Sequence, residues 1–509
     1  MNLLRTASLI VVLTLAGRLL GFFRNIYLSN LYGLSRETDL FTIASNIPMT
    51  LFLVVPGAIN AVLIPTLRGI LEQNNRQRAN ELYQKVLFIV LAGFAVLAVL
   101  GVLFSRQTAL LLGVRGEDAI QMTAELLQWM WPSAIFIGLV GLWSSVCNAH
   151  QHFFTPTVGT VANGAVVIVF MYLLVPHMGV NGLALATSLG YLSACLTMLP
   201  TMRSFGYRHR FRLGWKEDEA MRSMGERVIP IFIGAVIANV TTFLERGLAN
   251  SLGEGRPSAL MLANTINQLP QAVFVGAFTL PLFPLLASYV ERGEMNEMKQ
   301  VLQKGLAYLL ILLIPITVGL IMYGEALIEL IYERGSFTHS ATQMTDFALT
   351  FYSLGLYALG ARDLLTRAFY ALKNTRTPVI IGFIGILAYL ATAWISMPWL
   401  SHGGLALSAS VSAICQSVLL FALLWRKIGR PVRANFLLTA GKVLIASLVM
   451  GAAISLWEPV LAMLPLVVHL VLGIGAGAVV YGVVLFLTRE PLVSELAGKV
   501  WKRRSRSVQ

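Results

Sequence analysis

Val86-Leu-Phe-Ile-Val-Leu-Ala-Gly-Phe-Ala-Val-Leu-Ala-Val-Leu-Gly-Val-Leu-Phe104 is a run of nineteen residues without a charge, an amide or a hydroxyl. As a helix it extends about 28 Å, close to the thickness of a bilayer's hydrocarbon core. Nothing in lipid can pair with a free backbone N–H or C=O, so a spanning segment must be a helix or part of a closed barrel. The apolar run is continuous rather than alternating, which selects the helix. Similar stretches occur along the whole chain, near 7–23, 38–66, 86–104, 122–146, 157–176, 181–202, 229–251, 257–289, 305–323, 341–371, 378–398, 403–425, 436–456 and 464–487. The sequence therefore predicts an all-α integral membrane protein of about fourteen transmembrane helices. Composition agrees: 57% of the 509 residues are hydrophobic and 12% are charged, against about 25% charged in soluble domains.

The formal net charge of +14 would suit nucleic acid, but its placement suits a membrane. With the N-terminus in the cytoplasm, the cytoplasmic segments hold roughly 27 Lys and Arg and the outward ones roughly 6. The basic stretches Arg203–Arg227 and Lys499–Arg506 then face the cytoplasm and anionic lipid, and no nucleic-acid partner is expected. Arg18 interrupts the first apolar run, which has no small-residue cleavage site, so it reads as a retained helix. Cys147, Cys195 and Cys415 fall inside expected spans without metal-like spacing and read as small apolar residues. The sequence lacks HExxH, GxxxxGK[ST] and GxSxG motifs and any paired catalytic Asp motif.

An internal repeat organises the spans. Gly182-Leu-Ala-Leu-Ala-Thr-Ser188 matches Gly404-Leu-Ala-Leu-Ser-Ala-Ser410 at a separation of 222 residues. The same separation relates Thr155-Pro156 to Thr377-Pro378, Ala149 to Ala371, Pro48 to Pro270 and Arg24 to Arg246. Six spans per copy is an even number, so the copies share an orientation, and parallel repeats of this kind build transporters with the substrate path between halves. The expected divisions are 1–203, a six-helix lobe; 204–427, a second six-helix lobe behind a basic cytoplasmic linker; and 428–509, two additional helices and a basic tail.

Charges in the membrane cost at least about 2.5–3.5 kcal/mol each, which makes them functional candidates. Arg18 and Arg24 on the first span are about 120° apart around the helix axis and can border one cleft. Gly17 and Gly21 flank Arg18 in a spacing that lets helices approach closely; the plainer alternative is a packing face with Arg24 snorkelling to the surface. Glu245 and Arg246 sit at the equivalent depth in the second copy, as a cargo-binding pair, a coupling-ion site or a self-neutralising structural pair. Asp39 opens span two as a ligand or as a helix cap. Pro48 and Pro270 lie mid-span and bend their helices, as gating kinks or static ones. Asn264, Asn267 and Gln268 precede Pro270 and either line a polar cavity or bond a neighbouring helix. The stretch from Arg362-Asp363 through Arg367 to Lys373 and Arg376 ends at a membrane interface.

Gly17-Arg18-Leu-Leu-Gly21-Phe-Phe-Arg24 with Thr38-Asp39, Glu245-Arg246 with Leu248-Ala249, Tyr332-Glu333-Arg334-Gly335-Ser336-Phe337-Thr338, and Arg367-Ala-Phe-Tyr-Ala371 through Thr377-Pro378 together resemble the MurJ (MviN) family of lipid II flippases. The resemblance runs across nearly the whole chain. It implies a MATE-like fold of the multidrug/oligosaccharidyl-lipid/polysaccharide exporter superfamily, with two six-helix lobes, two C-terminal helices and a cationic cavity. The implied cargo is undecaprenyl-pyrophosphate-linked disaccharide-pentapeptide, moved outward across the bacterial cytoplasmic membrane for peptidoglycan synthesis. The implied energy source is membrane potential or a coupling cation, sodium or proton, with no organic cofactor; membrane lipids and cell-wall synthesis proteins are the implied partners. Three departures stand out: Asn25 where the family commonly has Asp, Leu51-Phe52-Leu53 where it often has basic residues, and Asn264-Thr265-Ile266 where it often has Arg. They leave Arg18, Arg24 and Arg246 to carry the pyrophosphate, with Asn25, Asp39, Asn264 and Gln268 as further binding candidates.

Three function classes compete. A flippase moves intact lipid, of this or another undecaprenyl-linked glycan; an enzyme changes the lipid's mass; a scaffold does neither. Short outward loops and the absence of a catalytic partner for Glu245 argue against the enzyme. The even span count places both termini in the cytoplasm. In a protein freed of its native cysteines, Ser507→Cys is then labelled only after the membrane is permeabilised; labelling from outside intact cells refutes the orientation.

Overall fold

The computed structural model describes residues 3–207, 219–429 and 434–490, all helices and turns, with no strand among them. The helices are α1 (Leu3–Tyr32), α2 (Arg36–Glu72), α3 (Arg76–Leu103), α4 (Ser105–Leu111), α5 (Glu117–Met130), α6 (Ser133–Ala149), α7 (Phe154–Met178), α8 (Val180–Ser204), α9 (Glu219–Asn250), α10 (Arg256–Pro270), α11 (Gly276–Glu291), α12 (Met295–Tyr332), α13 (His339–Ser353), α14 (Leu356–Ala371), α15 (Arg376–Leu400), α16 (His402–Ile428), α17 (Ala434–Leu461) and α18 (Leu466–Leu487). The all-α membrane class holds. Among the described residues, nine helices are long and apolar enough to cross a membrane. Several expected spans are broken: 122–146 is α5 followed by α6, 341–371 is α13 followed by α14, and 257–289 is α10, a π-helical turn at Gln271–Val275, then α11. That turn follows Pro270 directly, at the expected kink. A proline removes one backbone donor and a π-turn re-registers the hydrogen bonds around the gap. By contrast α2 stays helical through Pro48, whose side chain, like those of Leu51, Phe52 and Leu53, lies outside the described residues, as do most of the basic linker and the tail at Lys499–Arg506.

The chain forms two compact units, Met1–Ser258 and Ala259–Gln509. In the first, α2 packs on α6 and α9, α1 on α7, and α7 on α8. Its core joins fully buried Leu63, Leu82, Tyr83 and Trp143, and the Trp143 indole donates to the Tyr83 hydroxyl at 3.0 Å. Buried hydroxyls are spent locally: Ser145 donates to the Gly141 carbonyl at 2.8 Å and bonds Asn60 of α2. Pairing of this kind is what a polar group in lipid requires. Cys147 and Cys195 are buried and Cys415 is half-buried. In the second unit α15 packs on α16, and both C-terminal helices pack on α12. There the Tyr481 hydroxyl of α18 donates to the Ile311 carbonyl at 2.7 Å.

The separation of 222 residues also recurs in local backbone geometry. Left-handed backbone recurs at that separation: Gly33 and Gly255, Gly113 and Gly335, Gln151 and Lys373, Gly179 and Ser401. The last pair makes the sharp turns between α7 and α8 and between α15 and α16, with φ of 58° and 50°. Three residues on, a Cβ at Gly182 would lie 2.7 Å from the Leu174 carbonyl carbon, and one at Gly404 would lie 2.8 Å from that of Ser396. Each glycine therefore lets one helix of its hairpin sit directly on the other's backbone. The serine hydroxyls that close the two matching heptapeptides also agree: Ser188 donates to the Trp129 carbonyl at 2.8 Å and Ser410 to the Phe351 carbonyl at 2.6 Å. Tyr332 and Phe337, from the signature before α13, are buried with rings 5.8 Å apart, and Glu333 accepts from the Thr342 hydroxyl. That signature is a built turn.

Gly182→Ala and Gly404→Ala should each destabilise the protein by about 1–3 kcal/mol, because a backbone carbonyl cannot move aside. Gly21→Ala, whose Cβ meets nothing within 4 Å, should be neutral or slightly stabilising. Survival of monodisperse protein after graded heating in detergent measures this. Equal survival of all three variants would mean that close approach does not hold the hairpins.

Candidate substrate site

The first unit contains most of the charged candidates. Arg18 is exposed on α1 and Arg24, six residues later, is half-buried. One Nη of Arg24 donates to the Asn25 amide oxygen at 3.3 Å, and Asn25 is itself buried. Tyr191 of α8 lies within electrostatic range of the Arg24 guanidinium. Of the two glycines beside Arg18, Gly17 faces Thr160 of α7, whereas Gly21 faces open space. The α1 helix thus packs through Gly17 and presents Arg18 elsewhere. Glu245 and Arg246 are half-buried near the end of α9.

Asp39 is fully buried, and its role is more specific than either sequence reading. It does not cap its own helix; Ser35 does that, accepting from the Thr38 amide. The Asp39 carboxylate instead caps α10. It accepts from the Gly255 amide at 2.6 Å, the Ser258 amide at 3.1 Å and the Ser258 hydroxyl at 2.6 Å. The Gly255 amide lies just before α10 and the Ser258 amide in its first turn, where donors lack partners within the helix and the helix dipole favours an anion. The exchange is reciprocal: Glu254, just before α10, accepts from the Arg36 amide at the first residue of α2, at 3.0 Å. Two further bonds tie the α4–α5 turn into the same end. The Asn250 amide donates to the Gly113 carbonyl at 2.9 Å, and Arg36 donates to the Arg115 carbonyl at 3.4 Å.

Both Asp39 oxygens are therefore occupied by protein donors. Sequence reasoning missed Gly255 and Ser258; the available signal was the Gly253-Glu254-Gly255 turn at the start of an expected span.

On the second unit's side, Asn264 is half-buried and Gln268 is exposed, one turn apart on α10, with Gln268 donating to the Asn264 oxygen at 3.2 Å. Asn267 is buried instead, and its own carbonyl accepts from the Gln271 side chain at 3.4 Å within the π-turn. The polar residues before Pro270 thus divide: Asn264 and Gln268 pair with each other and Asn267 points inward. Arg362, left outside the sequence-based candidates, is half-buried on α14. Its neighbour Asp363 pairs with Arg367 at 3.0 Å.

The first unit thus combines half-buried arginines on long apolar helices with a carboxylate cap at the start of α10. Residues 28–475 match the family model described as lipid II flippase MurJ. A probable lipid II flippase MurJ from Buchnera aphidicola subsp. Schizaphis graminum is 25% identical over 457 residues, covering 88% of each chain. The lipid II flippase MurJ of Burkholderia cenocepacia is 26% identical over 432 residues, covering 83% of each. Among solved structures, a lipid II flippase MurJ in an inward closed conformation superposes with a TM-score of 0.78 at 23% identity, over 94% of this chain and 99% of that one. An inward-facing multidrug MATE transporter of the MOP superfamily superposes with a TM-score of 0.70 at 12% identity, over 82% of this chain and 95% of that one. At these identities the superpositions establish the MATE-like fold, and the family match extends over most of the chain. The chain belongs to the lipid II flippase MurJ family.

Proposed function

We propose that this protein carries lipid II, an undecaprenyl-pyrophosphate-linked disaccharide-pentapeptide, from the inner to the outer leaflet of the bacterial cytoplasmic membrane. It does so by alternating access, binding the headgroup without making or breaking bonds, so it is not an enzyme. The observation that carries the reading is the pair Arg24 and Arg246: both are half-buried within membrane-length helices and occupy matching positions of the repeat. Two guanidiniums on one water-filled cleft bind a pyrophosphate, each offering a planar fork to two oxygens. Arg18 is the third donor, and Glu245 orients Arg246 or binds the coupling cation. The lobes of the cycle are 1–203 and 204–427, with 428–509 appended and both termini cytoplasmic. In that orientation the Asp39–Ser258 cap lies at the outward end. It holds that end shut while cargo loads, and breaks when the cargo leaves. Cell-wall synthesis proteins receive the product.

A second reading has its own support. Leu51-Phe52-Leu53 and Asn264-Thr265-Ile266 replace cations common in the family, which favours another undecaprenyl-linked glycan as cargo on the same scaffold.

Arg24→Lys keeps the charge and loses the fork. It should weaken lipid II binding by about 1.5–3 kcal/mol, roughly 10- to 150-fold. Arg24→Ala and Arg246→Ala should cost more. Binding and flipping by purified variants in liposomes, matched for folding, measure both. Parental flipping rates in both alanine variants would refute the clamp. A parent that ignores lipid II but binds another pyrophosphate-linked lipid would refute the cargo and leave the fold standing.

A further inference from the structure

The first unit has a lateral groove of about 300 Å³ between α2, α3 and the first turns of α9. Its walls are apolar throughout, among them Ile59, Val90, Phe94, Leu97, Met221 and Met224. It follows α3 from Val86 to Leu97, about 16 Å of helix. Two glycines form its floor: a Cβ at Gly93 or at Gly225 would meet nothing within 4 Å. The volume would hold about ten waters at bulk density, but the described lining side chains offer water no polar partner. Left empty, the walls would lose their dispersion contacts on one side. The groove opens beside Ile89 and Leu97, both apolar and exposed on α3. A hydrocarbon chain is the occupant that meets these conditions.

The charge at one end of the groove specifies what that chain is attached to. The first three turns of α3 carry Arg76, Arg78 and Lys85 against Glu81, and the start of α9 carries Arg222 and Arg227 against Glu219 and Glu226. Two of the carboxylates are engaged by neighbours: Glu81 lies 3.8 Å from Arg78 and Glu226 lies 3.2 Å from Arg222. Cations remain in excess where the groove meets the headgroup layer, and an excess of this kind attracts anionic lipid.

We propose that this groove is a binding site for one anionic phospholipid, with an acyl chain lying between α3 and α9 and its phosphate against the basic turns. The site is separate from the arginines assigned to cargo and uses none of them.

The test is photolabelling of the full-length protein in nanodiscs made from equal parts of phosphatidylglycerol and phosphatidylcholine. In parallel samples, one lipid or the other bears a photoactivatable acyl chain. Phosphatidylglycerol should label peptides containing residues 86–97 and 221–228, in clear preference to phosphatidylcholine. Gly93→Leu or Gly225→Leu fills the seat without a collision and should lower that labelling about tenfold or more. Gly69→Leu, outside the groove and equally free of contacts, should leave it unchanged. Lys85→Gln with Arg222→Gln should abolish the preference for phosphatidylglycerol while the groove still takes a chain. Equal labelling by both lipids in the parent, or undiminished labelling in both glycine variants, overturns the proposal. So does displacement of the phospholipid by undecaprenyl phosphate at low molar ratio, which would make the groove a seat for the cargo's tail.

Discussion

The carboxylate of Asp39 sits fully buried against the start of α10, and the order of this end of the first unit depends on it. An unpaired carboxylate there would be among the costliest groups in the protein. Three donors aimed at it turn that cost into a latch. Glu254 repeats the device in the opposite sense on α2. The start of α10 supplies two amides and a hydroxyl to the buried Asp39, and the first amide of α2 bonds the exposed Glu254, so separating the two helix starts would leave a buried carboxylate and its donors unpaired. Contacts of this kind stay intact until water reaches them and then separate together.

The same reasoning sets the repeat apart from a mere count of spans. At Gly182 and Gly404 the backbones of paired helices touch, and at Gly179 and Ser401 the chain turns through a conformation in which a Cβ is unfavourable. The first copy meets the demand with glycine. The second carries serine, which keeps the geometry with φ of 50°. The hydroxyls of Ser188 and Ser410 fix the same helix crossing in both copies. Gly182, Ser188 and Pro156 recur in the second copy as Gly404, Ser410 and Pro378, alongside Leu183, Ala184 and Leu185 as Leu405, Ala406 and Leu407.

Much of this was legible in the sequence because bilayers impose it. Uninterrupted runs such as Val86–Phe104 span a bilayer as helices, and several matches at one separation of 222 residues, GLALATS with GLALSAS among them, point to a duplication. Pro270 announced a break and a π-turn follows it. What the sequence concealed lies between residues far apart in the chain. Asp39 and Ser258 are 219 positions apart, and no local pattern links them. A lone Asp at a helix start looks like the cap of its own helix, yet Ser35 had already taken that place. Asn264 and Gln268, one turn apart on α10, share one side of the helix while Asn267 turns to the buried side, and which side is buried depends on what packs there. The groove beside α3 was equally hidden, because glycines at 93 and 225 look like ordinary membrane-helix residues until a third helix stands opposite them.

The proposal that the Asp39–Ser258 latch breaks when the cargo leaves is tested most directly across the start of α2 and the residue pair just before α10. Cysteines at Arg36 and Glu254, in a protein freed of Cys147, Cys195 and Cys415, place two thiols across that latch. Lipid II flipping in liposomes would be measured before joining them with a short cleavable crosslinker, after joining them, and after cleaving it. The account predicts that flipping stops when the crosslink forms and returns when it is cleaved; flipping at an unchanged rate in the crosslinked protein would contradict it.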